Sequence, residues 1–208
     1  MKNDFLKNND FIFILEIAKK FHQTNSNVFD AFAKTQYISK IWLILKLLNY
    51  IDLNRKHKIY VFGGWYGFLP FLLFNADDIK IDKIYNIDTD KNCEEISNYL
   101  NKKNKNYIFV NQDMKDWNEY DPNPIVINTS FEHVNDETYK IWYDKIPKDA
   151  LIILQSNNLF RIKEHIRCCN NLQEFENQSL MTNILWKGET YVDQYKEYKR
   201  FMIIGKKA

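Results

Sequence analysis

The string Gly63-Gly64-Trp65-Tyr66-Gly67 follows the apolar run Lys58-Ile59-Tyr60-Val61-Phe62. Glycines between a strand and a helix N-terminus let the backbone approach a bound ligand closely. The same string also suits a plain strand-to-helix turn. It lacks the Gly-Lys-Ser/Thr of a phosphate-cradling loop, and Trp65 stands where a spaced glycine fingerprint has its second glycine. Asp88 closes the next apolar run, Ile84-Tyr85-Asn86-Ile87, about 20 residues further on, where an acid can accept hydrogen bonds from ribose hydroxyls. It could instead cap the helix that follows, although Asp90 is better placed for that. Asp113 ends a third run, Tyr107 to Val110. A carboxylate there, beside the backbone N–H of Met114, suits an adenine amino group, or it is a solvated loop acid.

Two further strings offer groups that could move protons or read a polar substrate. Asn128-Thr129-Ser130-Phe131-Glu132-His133 follows the run Ile125-Val126-Ile127. Glu132 or His133 could take a proton, since imidazole titrates near neutrality. Ser130 could equally cap a turn and His133 be an ordinary polar contact. Gln155-Ser156-Asn157-Asn158 follows Leu151 to Leu154. Its amides could hydrogen-bond a substrate, or simply favour a turn. There is no Gly-x-Ser-x-Gly elbow, which argues against a serine hydrolase. The three cysteines, Cys93, Cys168 and Cys169, have no Cys-x-x-Cys spacing, and His165 has no second ligand pair at a metal-binding interval. No metal site is expected on these spacings.

Composition narrows the classes. The chain has 208 residues, enough for one α/β domain with a short extension. A net charge of +2 gives no basic surface for nucleic acid, so a small-molecule partner is expected instead. The cysteine pattern fits a reducing, cytoplasmic setting. The apolar run Ile41 to Leu48 is too short to cross a bilayer, so no membrane partner is expected. The oligomeric state is not legible. Aromatics make up 16%, so many must be buried.

These residues need elements to hold them. Residues 4–20 carry Phe5, Phe11, Ile14, Ile17 and Ala18 at helical spacing, and residues 28–51 read as one long helix or two, with Ser26 or Asn27 as N-cap. Residues 1–55 are thus read as a helical lid or extension, and 56–208 as the nucleoside-binding domain. From residue 58 onward, five apolar runs alternate with helical segments at 68–74, 91–104 and 136–146. That alternation predicts a parallel sheet with helices on both faces and its polar strand ends on one edge. Residues 162–180 read as helical or irregular. The runs at 184–189 and 200–204 have no apolar helix between them, so they are expected to form an antiparallel hairpin.

The order of glycine turn, Asp88, Asp113, polar fourth strand end and terminal hairpin resembles the class I S-adenosylmethionine-dependent methyltransferases over roughly residues 56–205. More narrowly, GGWYG, NTSFEH and QSNN are similar to small methyltransferase-like proteins of bacteriophages and marine bacteria. The resemblance implies a Rossmann-like, mostly parallel seven-stranded sheet and S-adenosyl-L-methionine as cofactor. It places Gly63, Gly64, Trp65, Tyr66 and Gly67 against the cofactor, Asp88 on the ribose, and Asp113 with Met114 at the adenine. It places acceptor-facing residues after the fourth strand: Glu132 and His133 as candidate catalytic groups, with Ser130, Gln155, Asn157 and Asn158 as candidate substrate contacts. The chain departs from the family at Val61, where an acid usually helps hold the methionine amino group, and at Trp65, where a glycine is usual. The methionine end must then be held otherwise, with Asn128, Thr129, Ser130, Gln36 and Lys40 as candidates. Lys40 suits the methionine carboxylate, or is a surface helix lysine. The acceptor is not identified. Another enzyme that cleaves or rearranges the same cofactor, and a non-catalytic nucleoside-binding module, remain alternatives.

Overall fold

The computed structural model describes residues 6–207. Asp4 and Phe5, counted above in the first helix, lie outside them. The helical lead-in is α1 (Asn8–Phe21), α2 (Val28–Ala31) and α3 (Lys34–Leu47). Asn27 occupies the N-cap position of α2 without making a side-chain cap; its N–H is instead held by the Asn25 side chain at 3.3 Å.

Five strands then alternate with helices: β1 (His57–Phe62), α4 (Phe68–Phe74), β2 (Ile81–Asp88), α5 (Cys93–Leu100), β3 (Tyr107–Asn111), β4 (Ile125–Asn128), α6 (Asp136–Lys145) and β5 (Leu151–Asn157). After α7 (Leu172–Gln178) come β6 (Asn183–Tyr191) and β7 (Lys199–Lys206). All seven strands form one sheet in the order β3-β2-β1-β4-β5-β7-β6. β1 to β5 run parallel, and β7 pairs antiparallel to both β5 and β6. The expected hairpin is present, but β7 wedges itself between β5 and β6.

Side-chain alternation along each strand sorts the apolar residues into two cores. Ile59, Val61, Ile125, Ile127 and Ile153 pack with α1, α3, α4 and α5, including Ile17, Phe21, Leu43, Ile44 and Leu47. Tyr60, Phe62, Val126, Ile152 and Leu154 pack on the other face with Phe131, Tyr139, Trp142 and Phe175. The N-terminal helices therefore share a continuous core with the sheet. The second core absorbs much of the aromatic excess: Tyr60 stacks on Tyr85 at 4.9 Å, and Phe62 meets Trp142 edge-on at 5.2 Å.

β5 is longer than its apolar run. It continues through Gln155, Ser156 and Asn157 because β7 pairs with it along its whole length, Gln155 opposite Met202 and Asn157 opposite Arg200. The amide run is therefore mostly inside a buried strand rather than a turn beyond it.

Candidate functional site

The carboxyl ends of β1, β2, β4 and β5 converge on one edge. Gly63, at φ +61°, leaves β1 with its N–H bonded to Ile87 O at 2.9 Å. Gly67, at φ +72°, is the N-cap of α4. Positive φ favours glycine, and space forbids anything larger. A Cβ on Gly63 would lie 1.8 Å from Ser130 Oγ, and one on Gly64 would lie 1.7 Å from Asn86 Oδ1. Between them Trp65 holds φ +52° without being glycine, and its ring stacks on Tyr66 at 4.7 Å. What holds Trp65 there is Asp88, whose Oδ2 accepts the Trp65 N–H at 2.8 Å. The other oxygen of Asp88 accepts the Asp90 N–H at 3.0 Å. Burial pushes the Asp88 carboxyl up, and these backbone N–H groups counter it. A carboxylate offers about four lone-pair sites, so capacity remains for a ligand beyond the backbone N–H groups of Trp65, Asp90 and Thr89.

Asn86 lies beneath the turn and was not singled out in the sequence. Its amide donates to Trp65 O and Ser97 Oγ, each at 3.2 Å. An asparagine inside the apolar run Ile84 to Ile87 is the signal that could have found it; it is fully buried. Tyr66 donates its hydroxyl to Asn25 Oδ1 at 2.5 Å, tying the turn to the loop after α1. Burial pushes that phenol up to about 12.

Asp113 caps a 3-10 turn over Met114–Asp116, accepting Lys115 N–H at 3.0 Å, and lies 3.4 Å from Lys115 Nζ. Met114 is buried beside Trp117 in the second core. Both stand beyond β3, next to the end of β2.

Past β4 the polar string turns inward. Asn128 is fully buried and accepts from Ser130 N–H at 2.9 Å and Ser130 Oγ at 3.3 Å, while its own Nδ2 has no partner among the described residues. Glu132 is 3% exposed, and its Oε1 receives Arg200 Nη1 at 2.7 Å and Asn157 Nδ2 at 2.5 Å. Arg200 also donates to Thr129 O at 3.2 Å and to Ser39 Oγ at 3.1 Å. Ser39 in turn bonds Gln155 Oε1 at 3.1 Å. Gln155 and Asn157 are thus fully committed inside the fold, and Asn158 ties the β6–β7 connection through Glu197 O and Lys199 N. No sequence signal marked Ser39 or Arg200 as members of this network.

Lys40 lies in the same cluster rather than on the surface. It is 8% exposed and donates to Gln36 Oε1 at 2.5 Å. Burial, then the Arg200 charge, bring its ammonium down to about 7, with Glu132 opposing. Ser130, against Gly63, bonds Asn128, and the next residue, Thr129, accepts from Arg200 of the buried Arg200–Glu132 pair, whose charges act on Lys40. His133 is exposed, its Nδ1 3.1 Å from Glu164 O, and its ring meets His165 edge-on at 4.6 Å. His165 is half-buried, and burial lowers its imidazole. The cysteines are free and buried.

This sheet order, with its antiparallel seventh strand and glycine turn after β1, is the Rossmann-like methyltransferase fold. Solved structures bear this out. The N-methyltransferase NodS from Bradyrhizobium japonicum WM9, in complex with S-adenosyl-L-homocysteine, is similar at 7% identity and TM-score 0.63, over 83% of this chain and 87% of that one. The YcgJ protein from Bacillus subtilis is similar at 11% identity and TM-score 0.59, over 81% of this chain and 98% of that one. A mutant of MtNAS in complex with S-adenosylmethionine is similar at 10% identity and TM-score 0.60, over 94% of this chain and 72% of that one. At these identities the likeness is one of fold. No family model and no curated protein matches the sequence. Among the described residues, no helix is long and apolar enough to cross a membrane.

Proposed function

We propose that the chain is a methyltransferase that uses S-adenosyl-L-methionine and acts on a small-molecule acceptor. The observation that carries this is the pinning of Trp65 N–H to Asp88 at 2.8 Å at the carboxyl edge of the sheet. It joins an acid with lone-pair capacity to spare to a turn whose glycines leave no room for a Cβ. The strings GGWYG, NTSFEH and QSNN support a narrower kinship with small phage and marine-bacterial methyltransferase-like proteins.

The residues fit the cofactor at both ends. Asp88 would bind the ribose hydroxyls, with Asp113 and Met114 toward the adenine and Gly63 to Gly67 as the backbone surface. The methionine end has no acid at Val61, which is wholly buried in the core. Among the described residues, buried Lys40 donates to Gln36 Oε1, and the buried Nδ2 of Asn128 has no partner. Both are donors, matched to a carboxylate, and an unmet buried donor costs about 1–3 kcal/mol. Thr129 and Ser130 follow Asn128 directly. When bound, the cofactor supplies a sulfonium methyl group for in-line displacement, so the protein's work is alignment. Glu132 and His133 are the candidate proton acceptors for an acceptor that must lose one. A second reading, another use of the same cofactor, is favoured by the departure at Val61.

Calorimetry with S-adenosylmethionine, S-adenosylhomocysteine and NAD tests the assignment. Binding of the two sulfur nucleosides and not NAD is expected, and binding of neither overturns it. Product analysis separates the readings: S-adenosylhomocysteine marks methyl transfer, whereas methylthioadenosine or homoserine lactone formed without an acceptor marks cleavage.

A further inference from the structure

We propose that Glu132, His133 and His165 form a binding site for a divalent transition-metal ion such as zinc. Neither the glycine turn nor the nucleoside reading calls for it, and no ligand spacing in the sequence announces it. The fold makes it by bringing two segments together. Glu132 and His133 occupy the 3-10 turn after β4, and His165 lies in the stretch after β5. The Arg167 N–H donates to Glu132 O at 3.0 Å and joins the two.

Three observations carry the site. One candidate ligand atom from each residue lies within 4.8 Å of the others. Ligand bonds of 2.0–2.2 Å at tetrahedral angles need separations of about 3.4 Å. His133 is exposed, so a modest ring movement can close the difference.

The second observation is Glu132 Oε2. Its sister oxygen takes Arg200 and Asn157, but Oε2 is buried with no hydrogen-bond partner among the described residues. An unpaired buried carboxylate oxygen is costly, and a cation satisfies it.

The third is the state of the two imidazoles. His133 Nδ1 lies 3.1 Å from Glu164 O, and His165 Nδ1 lies 3.1 Å from Leu159 O. A carbonyl only accepts, so each Nδ1 carries the proton and each Nε2 keeps its lone pair. This is how metal-binding histidines are held by their outer partners.

Charge decides the kind of ion. Arg200 already neutralises Glu132, so the set attracts cations through its imidazole donors more than through net charge. Two imidazoles and one oxygen select zinc, cobalt or nickel over magnesium or calcium. Three protein ligands leave one position open. If the methyltransferase reading holds, Glu132 and His133 serve as ligands in place of proton acceptors when the ion is bound, and the open position suits an acceptor with a metal-binding oxygen or nitrogen. The metal site itself does not rest on that reading.

The test uses untagged protein stripped of metal, with no nucleoside present, and titrates Co²⁺, Zn²⁺ and Mg²⁺ by visible absorption and calorimetry. One equivalent of Co²⁺ should bind with visible d–d bands and be displaced by Zn²⁺ but not by Mg²⁺. A His133→Ala/His165→Ala variant should lose about 100-fold or more in affinity. His22→Ala, at an exposed histidine elsewhere, should lose nothing. The paired variant removes no fully buried group, and an unchanged urea midpoint would verify its fold. Failure of the wild type to bind Co²⁺ or Zn²⁺ overturns the proposal, as does undiminished binding by the folded paired variant. Because the readout needs no nucleoside, its failure is distinguishable from failure of the methyltransferase reading.

Discussion

Gly63→Ala tests the tightest contact in the candidate site. Alanine at φ +61° takes a conformation that costs an L residue about 1–2 kcal/mol. Its Cβ would sit 1.8 Å from Ser130 Oγ and 2.8 Å from Ser130 Cβ. Rotating the hydroxyl away relieves the first contact but gives up its bond to Asn128 Oδ1, about 1 kcal/mol. The second contact survives any rotation, so the backbone must shift, at about 1–3 kcal/mol. The whole is about 3–6 kcal/mol, a large part of the 5–15 kcal/mol that holds a typical domain together. Ser130→Gly in the same chain removes both contacts and leaves mainly the φ cost. The two substitutions should therefore couple by about 2–4 kcal/mol in a double-mutant cycle. Urea denaturation of the four proteins measures this. A wild-type midpoint for Gly63→Ala, or no recovery on adding Ser130→Gly, would refute the reasoning.

Two further outcomes are expected. Asp88→Asn keeps the shape but exchanges one acceptor for a donor, so S-adenosylhomocysteine should bind about 10- to 100-fold more weakly, equivalent to roughly 1.5–3 kcal/mol. An unchanged Kd by calorimetry would show that the ribose sits elsewhere. Lys40 gives a pH signature. Its folded value is about 7 against 10.5 ordinarily, so between those limits the unfolded chain holds a proton that the folded one has released. Stability from this group therefore rises with pH through that window, by up to about 1.4 kcal/mol per pH unit. Urea midpoints at pH 7 and pH 9 should rise more for the wild type than for Lys40→Met, and equal rises would sink the assignment.

Much of the architecture is legible in the sequence because its signals are local. Five apolar runs between helical segments dictate parallel strands, and alternation within Ile59-Tyr60-Val61-Phe62 dictates two faces. The glycine turn and the acids at the next two strand ends could be located for the same reason. The polar run misled at β5, since Gln155, Ser156 and Asn157, all buried, look like a turn until β7 is seen paired against them. Lys40 also reads as a surface lysine on helical spacing alone. It is buried because α3 packs over the end of the sheet, and no local pattern records that.

What the sequence by itself determined is therefore the alternation, the strand ends and the turn, each dictated by residues within a few positions of one another. What only the tertiary structure decided is the company those residues keep. Arg200 reaches Glu132 from 68 positions away, and Ser39 meets Gln155 across 116. Contacts of that span depend on strand order and register, and a single β7 inserted between β5 and β6 sets them. The paired histidines belong to the same class. His133 and His165 mean little 32 positions apart in a chain, and become a candidate ligand set only because β4 and β5 lie side by side and end on the same edge.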